Sequence, residues 1–156
     1  MKGKILAFLF ILIFSISIFS FEISGSYLKE LSGYERSFYG INAIFGDKNL
    51  LGLELGVFSP PEILETFEIS YIQPTVFALL QIPIGNVKIF GGISPIIQYY
   101  NNSISLYSYT MYLVKGGLSI YLGPIVLTGG VNTIFDLSFQ QTFGIYGAYG
   151  QFGLRF

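Results

Sequence analysis

Apolar and polar residues alternate along most of this chain with a period of two, and that period belongs to strands rather than helices. Leu51, Leu53, Leu55 and Val57 interleave with Gly52, Glu54 and Gly56. Val87, Ile89, Ile93, Pro95 and Ile97 oppose Lys88, Phe90, Gly92, Ser94 and Gln98, and Ile125, Leu127, Val131 and Phe135 oppose Thr128, Gly130, Asn132 and Asp136. Each set forms one face of a sheet. Hydrophobic residues make up 52% of the 156 and charged ones 11%, whereas a soluble domain carries about 25% charged residues. Past residue 20 no segment reaches the ~18 uninterrupted apolar residues of a membrane helix. Apolar surface delivered in strand-sized pieces, with so few charges, predicts an all-β fold: a closed sheet with its apolar face toward lipid and its polar face inside.

The first twenty residues differ in kind. Lys2 and Lys4 precede an apolar run from Ile5 to Phe19, and Ser20 is small enough to end a cleavage site. This is the layout of an export signal peptide, although an uncleaved anchor has the same composition. The expected domains are a signal peptide over 1–20 and a barrel over 21–156. Losing residues 1–20 takes Lys2 and Lys4 from eight basic residues, leaving six against nine acidic ones and a net charge of −3. That balance argues against a nucleic-acid partner, which would need a basic face.

Eight strand segments follow: 21–28, 38–45, 50–58, 66–84, 86–98, 105–122, 125–136 and 142–156. Tight turns rich in Gly, Asn, Asp or Pro join the second to the third, the fourth to the fifth and the sixth to the seventh. The other links are longer, at Lys29–Ser37, Ser59–Glu65, Tyr99–Ile104 and Leu137–Gln141. Alternating short and long connections suit an up-and-down barrel with short turns on one side of a membrane and longer loops on the other. The fourth and sixth segments change phase. Phe67, Ile69 and Tyr71 give way to Val76, Ala78, Leu80 and Ile82, and Tyr107, Tyr109, Met111 and Leu113 give way to Leu118, Ile120 and Leu122. One extra residue flips every later side chain, so bulges are expected near Gln73–Thr75 and Lys115–Gly117.

With the apolar face outward, the inward face collects Glu22, Asn42, Glu54, Glu68, Gln81, Lys88, Lys115, Asn132, Gln151 and Arg155. A base on the lipid side near mid-membrane would cost roughly 2–4 kcal/mol, whereas inside a narrow barrel acids and bases can pair. An eight-stranded barrel is just wide enough for side chains to fill. The expectation is a plugged interior with a charge network of Glu54, Glu68, Lys88, Lys115 and Arg155, the last at the short-turn rim. The competing reading puts some of these charges at strand ends, in water. Tyr27, Tyr39, Phe45, Tyr71, Tyr99, Tyr100, Tyr107, Tyr109, Tyr121 and Tyr146 lie near strand ends, as an aromatic belt in the headgroup layer would place them; ordinary β-propensity would place them there too.

The last segment, Tyr149-Gly150-Gln151-Phe152-Gly153-Leu154-Arg155-Phe156, carries a resemblance. With the hairpin layout of 21–156, it resembles the closing strand of the small eight-stranded outer-membrane barrels of diderm bacteria, of the OmpA-domain and OmpX kind. The resemblance implies that Phe152, Leu154 and Phe156 form an assembly signal read by barrel-insertion machinery; Gly150 falls one place from the family's usual position. It also implies location in the bacterial outer membrane after export, with lipid and the export and assembly machinery as partners. It implies no single activity, since such folds host many.

The chain has no Cys, hence no disulfide and no thiolate metal site. It has no His, the commonest general base and metal ligand. No catalytic constellation, cofactor motif or metal-ligand spacing is present, so no enzyme activity, cofactor or metal is expected. A monomeric structural or surface-interaction barrel leads. A soluble lipocalin-like periplasmic barrel with an apolar ligand, or a narrow channel, stays open. The soluble alternative requires the reverse orientation, with Leu53, Ile89 and Leu127 packed inside and Glu54 and Lys88 in water.

Overall fold

The computed structural model describes residues 20–33, 35–47, 49–61, 72–100, 103–138 and 142–156, without the side chains of 98–100 and 142–145. The strands are β1 (Phe21–Glu30), β2 (Ser37–Phe45), β3 (Leu51–Ser59), β4 (Gln73–Ile84), β5 (Val87–Pro95), β6 (Ile97–Tyr100), β7 (Ser103–Leu106), β8 (Met111–Leu122), β9 (Ile125–Asp136) and β10 (Thr142–Arg155). Eight of them close an antiparallel barrel in the order β1-β10-β9-β8-β5-β4-β3-β2. The first and last strands seal it, from Glu22 opposite Arg155 to Glu30 opposite Gly147. Among the described residues β6 and β7 pair only with each other, and they extend the β5–β8 hairpin as a ribbon past the barrel's long-link end.

The short-turn end is built by local chemistry. Gly85-Asn86 joins Ile84 to Val87, and Gly123-Pro124 joins Leu122 to Ile125. Each turn starts on a glycine with positive φ, +61° at Gly85 and +66° at Gly123. Two-residue turns of this kind match the right-handed twist of the strands they join.

Side chains alternate as the period of two dictates. Leu127 is 42% exposed and Ile89 43%, whereas Glu54 and Lys88 are each 1% exposed. The reverse orientation demanded by a soluble barrel is therefore not the one the chain adopts. Counting alternate residues outward along the eight barrel strands, the described positions carry one charge, Lys29, at the long-link rim.

The expected bulges do not form where they were expected. Pairing runs without a shift from Gln73 opposite Phe58 to Leu80 opposite Leu51. It is equally regular through Lys115–Gly117 on both sides of β8. The phase change in that segment has two other causes. The strand is broken over residues 107–110, between β7 and β8. Leu113, an apolar residue, also sits on the inner wall, packed against a cluster of Ile44, Phe77, Leu79, Phe90 and Tyr149. The lumen is accordingly less polar than expected. The described residues show a register shift elsewhere, between Thr142 and Tyr146 against β9. The part of the fourth segment before Ile72 lies outside the described residues.

Candidate functional site: a charge-lined lumen

β1 and β3 carry the inward acids Glu22 and Glu54, and the β2–β3 turn turns Asp47 inward to 0% exposure. The inward bases Lys88 and Lys115 come from β5 and β8, on the other side of the barrel. Acids and bases therefore meet across the lumen. Lys88 pairs with Asp47 and lies 4.0 Å from Glu22 Oε2. Lys115 pairs with Glu54. Charges buried this deeply are tolerated only when paired and hydrogen-bonded, and rings supply further partners. Lys115 Nζ lies 4.5 Å from the centre of the Phe77 ring, and Lys88 Nζ lies 5.6 Å from that of Tyr121, where the negative face of the ring attracts a cation.

Around Lys88 the short-turn half is tightly knit. Tyr121 donates to Asp47 Oδ1 at 2.9 Å. Gln81 Nε2 donates to the carbonyl of Gly46 at 2.8 Å, pinning the same turn from β4. Ser119 and Thr128 share a hydrogen bond of 2.7 Å, and Asn42 Nδ2 donates to Ser26. Glycine makes room for this filling. A Cβ at Gly153 would lie 2.8 Å from Glu22 Oε1, and one at Gly130 would lie 2.7 Å from the Tyr149 hydroxyl. The gap between Glu54, Lys88 and Phe90 is too narrow for a water molecule.

The long-link half is built otherwise. Glu30 and Arg36 close on each other at the rim, with Arg36 Nε and Nη2 each donating at 3.0 Å. Below them Leu28, Phe38, Leu113 and Ile134 wall a cavity of about 140 Å³, floored by the Glu54–Lys115 pair and Tyr149.

The structure brings together Glu54 and Lys115 and places Lys88 in a second cluster. Arg155 lies at the short-turn rim, where it donates to the carbonyl of Gly123 at 3.2 Å and its guanidinium stacks 4.6 Å from the Tyr121 ring. Among the described residues it forms no ion pair, so it is not a charged member of the network as expected. Glu68 lies outside the described residues, as do residues 1–19 and Tyr71. Phe152, Leu154 and Phe156 form an outward row, 58%, 46% and 73% exposed.

Sequence reasoning missed Asp47 as the partner of Lys88, because a Gly-Asp pair in a turn reads as solvated. It also missed the Glu30–Arg36 clasp, which spans a link. Tyr121, expected in an aromatic belt, points inward and is 6% exposed. Tyr27, Tyr39 and Tyr146 do face outward on the long-link side, and Tyr27 and Tyr39 lie 5.3 Å apart. Phe21 lies 5.1 Å from Phe45 and 6.3 Å from Phe156 at the opposite rim.

No protein-family model and no curated protein matches the sequence. Solved structures do. The N-terminal β-barrel domain of Pseudomonas aeruginosa OprF is 15% identical, with a TM-score of 0.57 over 88% of this chain and 97% of that one. A de novo designed transmembrane β-barrel is 10% identical, with a TM-score of 0.58 over 88% of this chain and 95% of that one. At these identities what is shared is architecture, and the chain has the closed all-β fold of small transmembrane β-barrels.

Proposed function

We propose that this protein is a structural barrel of the bacterial outer membrane, seated in lipid by its outer face and closed to ion flow by its interior. The observation that carries the proposal is the contrast between the two faces. Between the rims, the described outward strand positions carry no charge, while Glu22, Glu54, Lys88 and Lys115 are buried within. In water each exposed Leu or Ile would forgo about 1.5–3 kcal/mol of burial; hydrocarbon restores it. The outward tyrosines Tyr27, Tyr39 and Tyr146 at the long-link rim support the same setting, since rings with polar tips favour the headgroup layer. The likeness to a designed transmembrane barrel also supports it. The filled lumen argues against the narrow-channel reading. A chain without His gives no reason to assign catalysis.

Membrane fractionation combined with protease accessibility tests the location and sidedness. The protein is expected in the detergent-extracted outer-membrane fraction, migrating faster on gels when unheated than when boiled. Recovery in the soluble fraction would overturn the proposal, and steady single-channel conductance in planar bilayers would overturn the closed interior. In this setting Phe152, Leu154 and Phe156 act as the assembly signal. Phe156→Ala is expected to lower the amount of folded barrel in the membrane without changing the stability of protein refolded in detergent.

A role in surface interaction has an observation of its own. The β6–β7 ribbon and the chain after it hold Ile104 at 70%, Tyr107 at 57% and Tyr109 at 83% exposure. Shortening this hairpin would separate a contact role from a purely structural one.

A further inference from the structure

The outward face of the β5–β8 wall does not end where the barrel ends. On β5 it runs through Ile89, Ile93 and Pro95, which lie opposite Leu118, Val114 and Tyr112 on β8. Counting on by twos, the next outward residue is Ile97, at the start of β6. Its cross-strand partner is Leu106 on β7, and directly opposed residues share a face of the sheet. Ile104 lies on that face with Leu106, while Ser103 and Ser105 take the other. The chain does not flip between β5 and β6, because Ser94 and Ile96, in the inward phase, are 0% and 9% exposed. The ribbon therefore carries the apolar face of the barrel past the rim, in phase. No described residue covers it: Ile104 is 70% exposed and Leu106 48%.

Charge sets this hairpin apart from its neighbours. The link between β1 and β2 carries Glu35 and Arg36, and that between β3 and β4 carries Glu62 and Glu65. From Ile89 to Val114 there is no charged residue at all. Reach points the same way. Four residues rising about 3.3 Å each, at a tilt of about 45°, lift the ribbon about 9 Å above the wall. The headgroup layer on each side of the hydrocarbon is about 5–8 Å deep. The ribbon thus stands within that layer, where rings with polar tips are favoured. Tyr107 and Tyr109, which follow it, are 57% and 83% exposed.

We infer that the β6–β7 ribbon docks by its Ile104–Leu106 face on the lipid of the leaflet at the long-link end, continuing the lipid contact of the β5–β8 wall, while its serine face stays in water. The contact is apolar and aromatic, so it does not select for headgroup charge. The inference rests on the reading of the barrel as seated in a membrane, and it names lipid as the partner of the ribbon.

The chain has no Cys, so a single cysteine carrying a nitroxide can be placed in turn at Ile89, Ser103, Ile104, Ser105 and Leu106. All five positions are exposed, and the labels leave the packed lumen alone. Each labelled full chain is refolded into phosphatidylcholine vesicles. Relaxation by oxygen, which concentrates in lipid, is compared with relaxation by a water-soluble nickel chelate. The oxygen-to-nickel ratio is expected to be high at Ile89, Ile104 and Leu106 and severalfold lower at Ser103 and Ser105. Adding phosphatidylglycerol should leave the pattern unchanged; a pattern that needs the anionic lipid would overturn the apolar mode of contact. A high ratio at Ile89 with low ratios at Ile104 and Leu106 would overturn the inference and leave the barrel in its membrane. Shielding of Ile104 and Leu106 from both reagents would mean that a second copy covers the face, and would overturn it too. High ratios at all four ribbon positions would overturn docking by one face. A low ratio at Ile89 itself would instead overturn the membrane seating on which the inference rests.

Discussion

The two halves of the lumen solve the same problem in different ways. On the short-turn side, Lys88 is shared by Asp47 and Glu22, Asp47 is held by Tyr121, and Gln81 fastens the turn that carries Asp47. On the long-link side Lys115 and Glu54 pair beneath a cavity, with a half-buried Glu30–Arg36 clasp above them. The first half is a network in which each member fixes another. The second is a pair with space on one side. Their difference suggests that stability resides near the turns, while the end with free volume is left to adapt.

The comparison can be broken first at Lys88. Lys88→Met leaves Asp47 and Glu22 buried without a counter-charge and is expected to cost about 3–5 kcal/mol, read as a lowered urea midpoint for the refolded barrel. Adding Asp47→Asn should recover part of that loss, which a simple packing defect would not. Lys115→Met strands one carboxylate rather than two, beside a cavity that can admit water. A smaller loss of about 2–3 kcal/mol is expected in the same assay. A loss equal to that of Lys88→Met would erase the distinction between the halves. Tyr121→Phe removes one hydrogen bond to a charged acceptor and should cost about 1.5–2 kcal/mol. Arg36→Ala breaks a pair whose arginine is half-exposed and whose carboxylate is buried at the rim, and should shift the midpoint by about 1 kcal/mol. If it proved as costly as Tyr121→Phe, the long-link rim would be part of the structural frame.

Much of the fold could be read from the sequence because a period of two is a local signal. β9 runs from Ile125 to Asp136, the span its alternation marks out, and the facing of Leu53 against Glu54 follows from the same rule. The misreadings have physical causes. Leu113 is apolar yet faces inward, so its phase looked like a bulge. Tyr121 is an aromatic residue near a strand end whose hydroxyl finds a buried carboxylate instead of headgroups. That Lys88 and Glu54 face inward was legible. That Lys88 meets Asp47 was not, because the stagger of a closed barrel sets which inward residues share a level, and no local pattern encodes it.

The division of sign around the wall bears on how the barrel is made. The consecutive strands β1 to β3, with their turn, bring Glu22, Asp47 and Glu54 inward, whereas β5 and β8 bring Lys88 and Lys115. A partly assembled sheet would hold three negative groups with nothing to neutralise them, in a solvent that punishes unbalanced charge. Neither portion is a tenable stopping point alone. Curling of the sheet, which brings these arcs face to face, is therefore expected to go together with neutralisation of their charges.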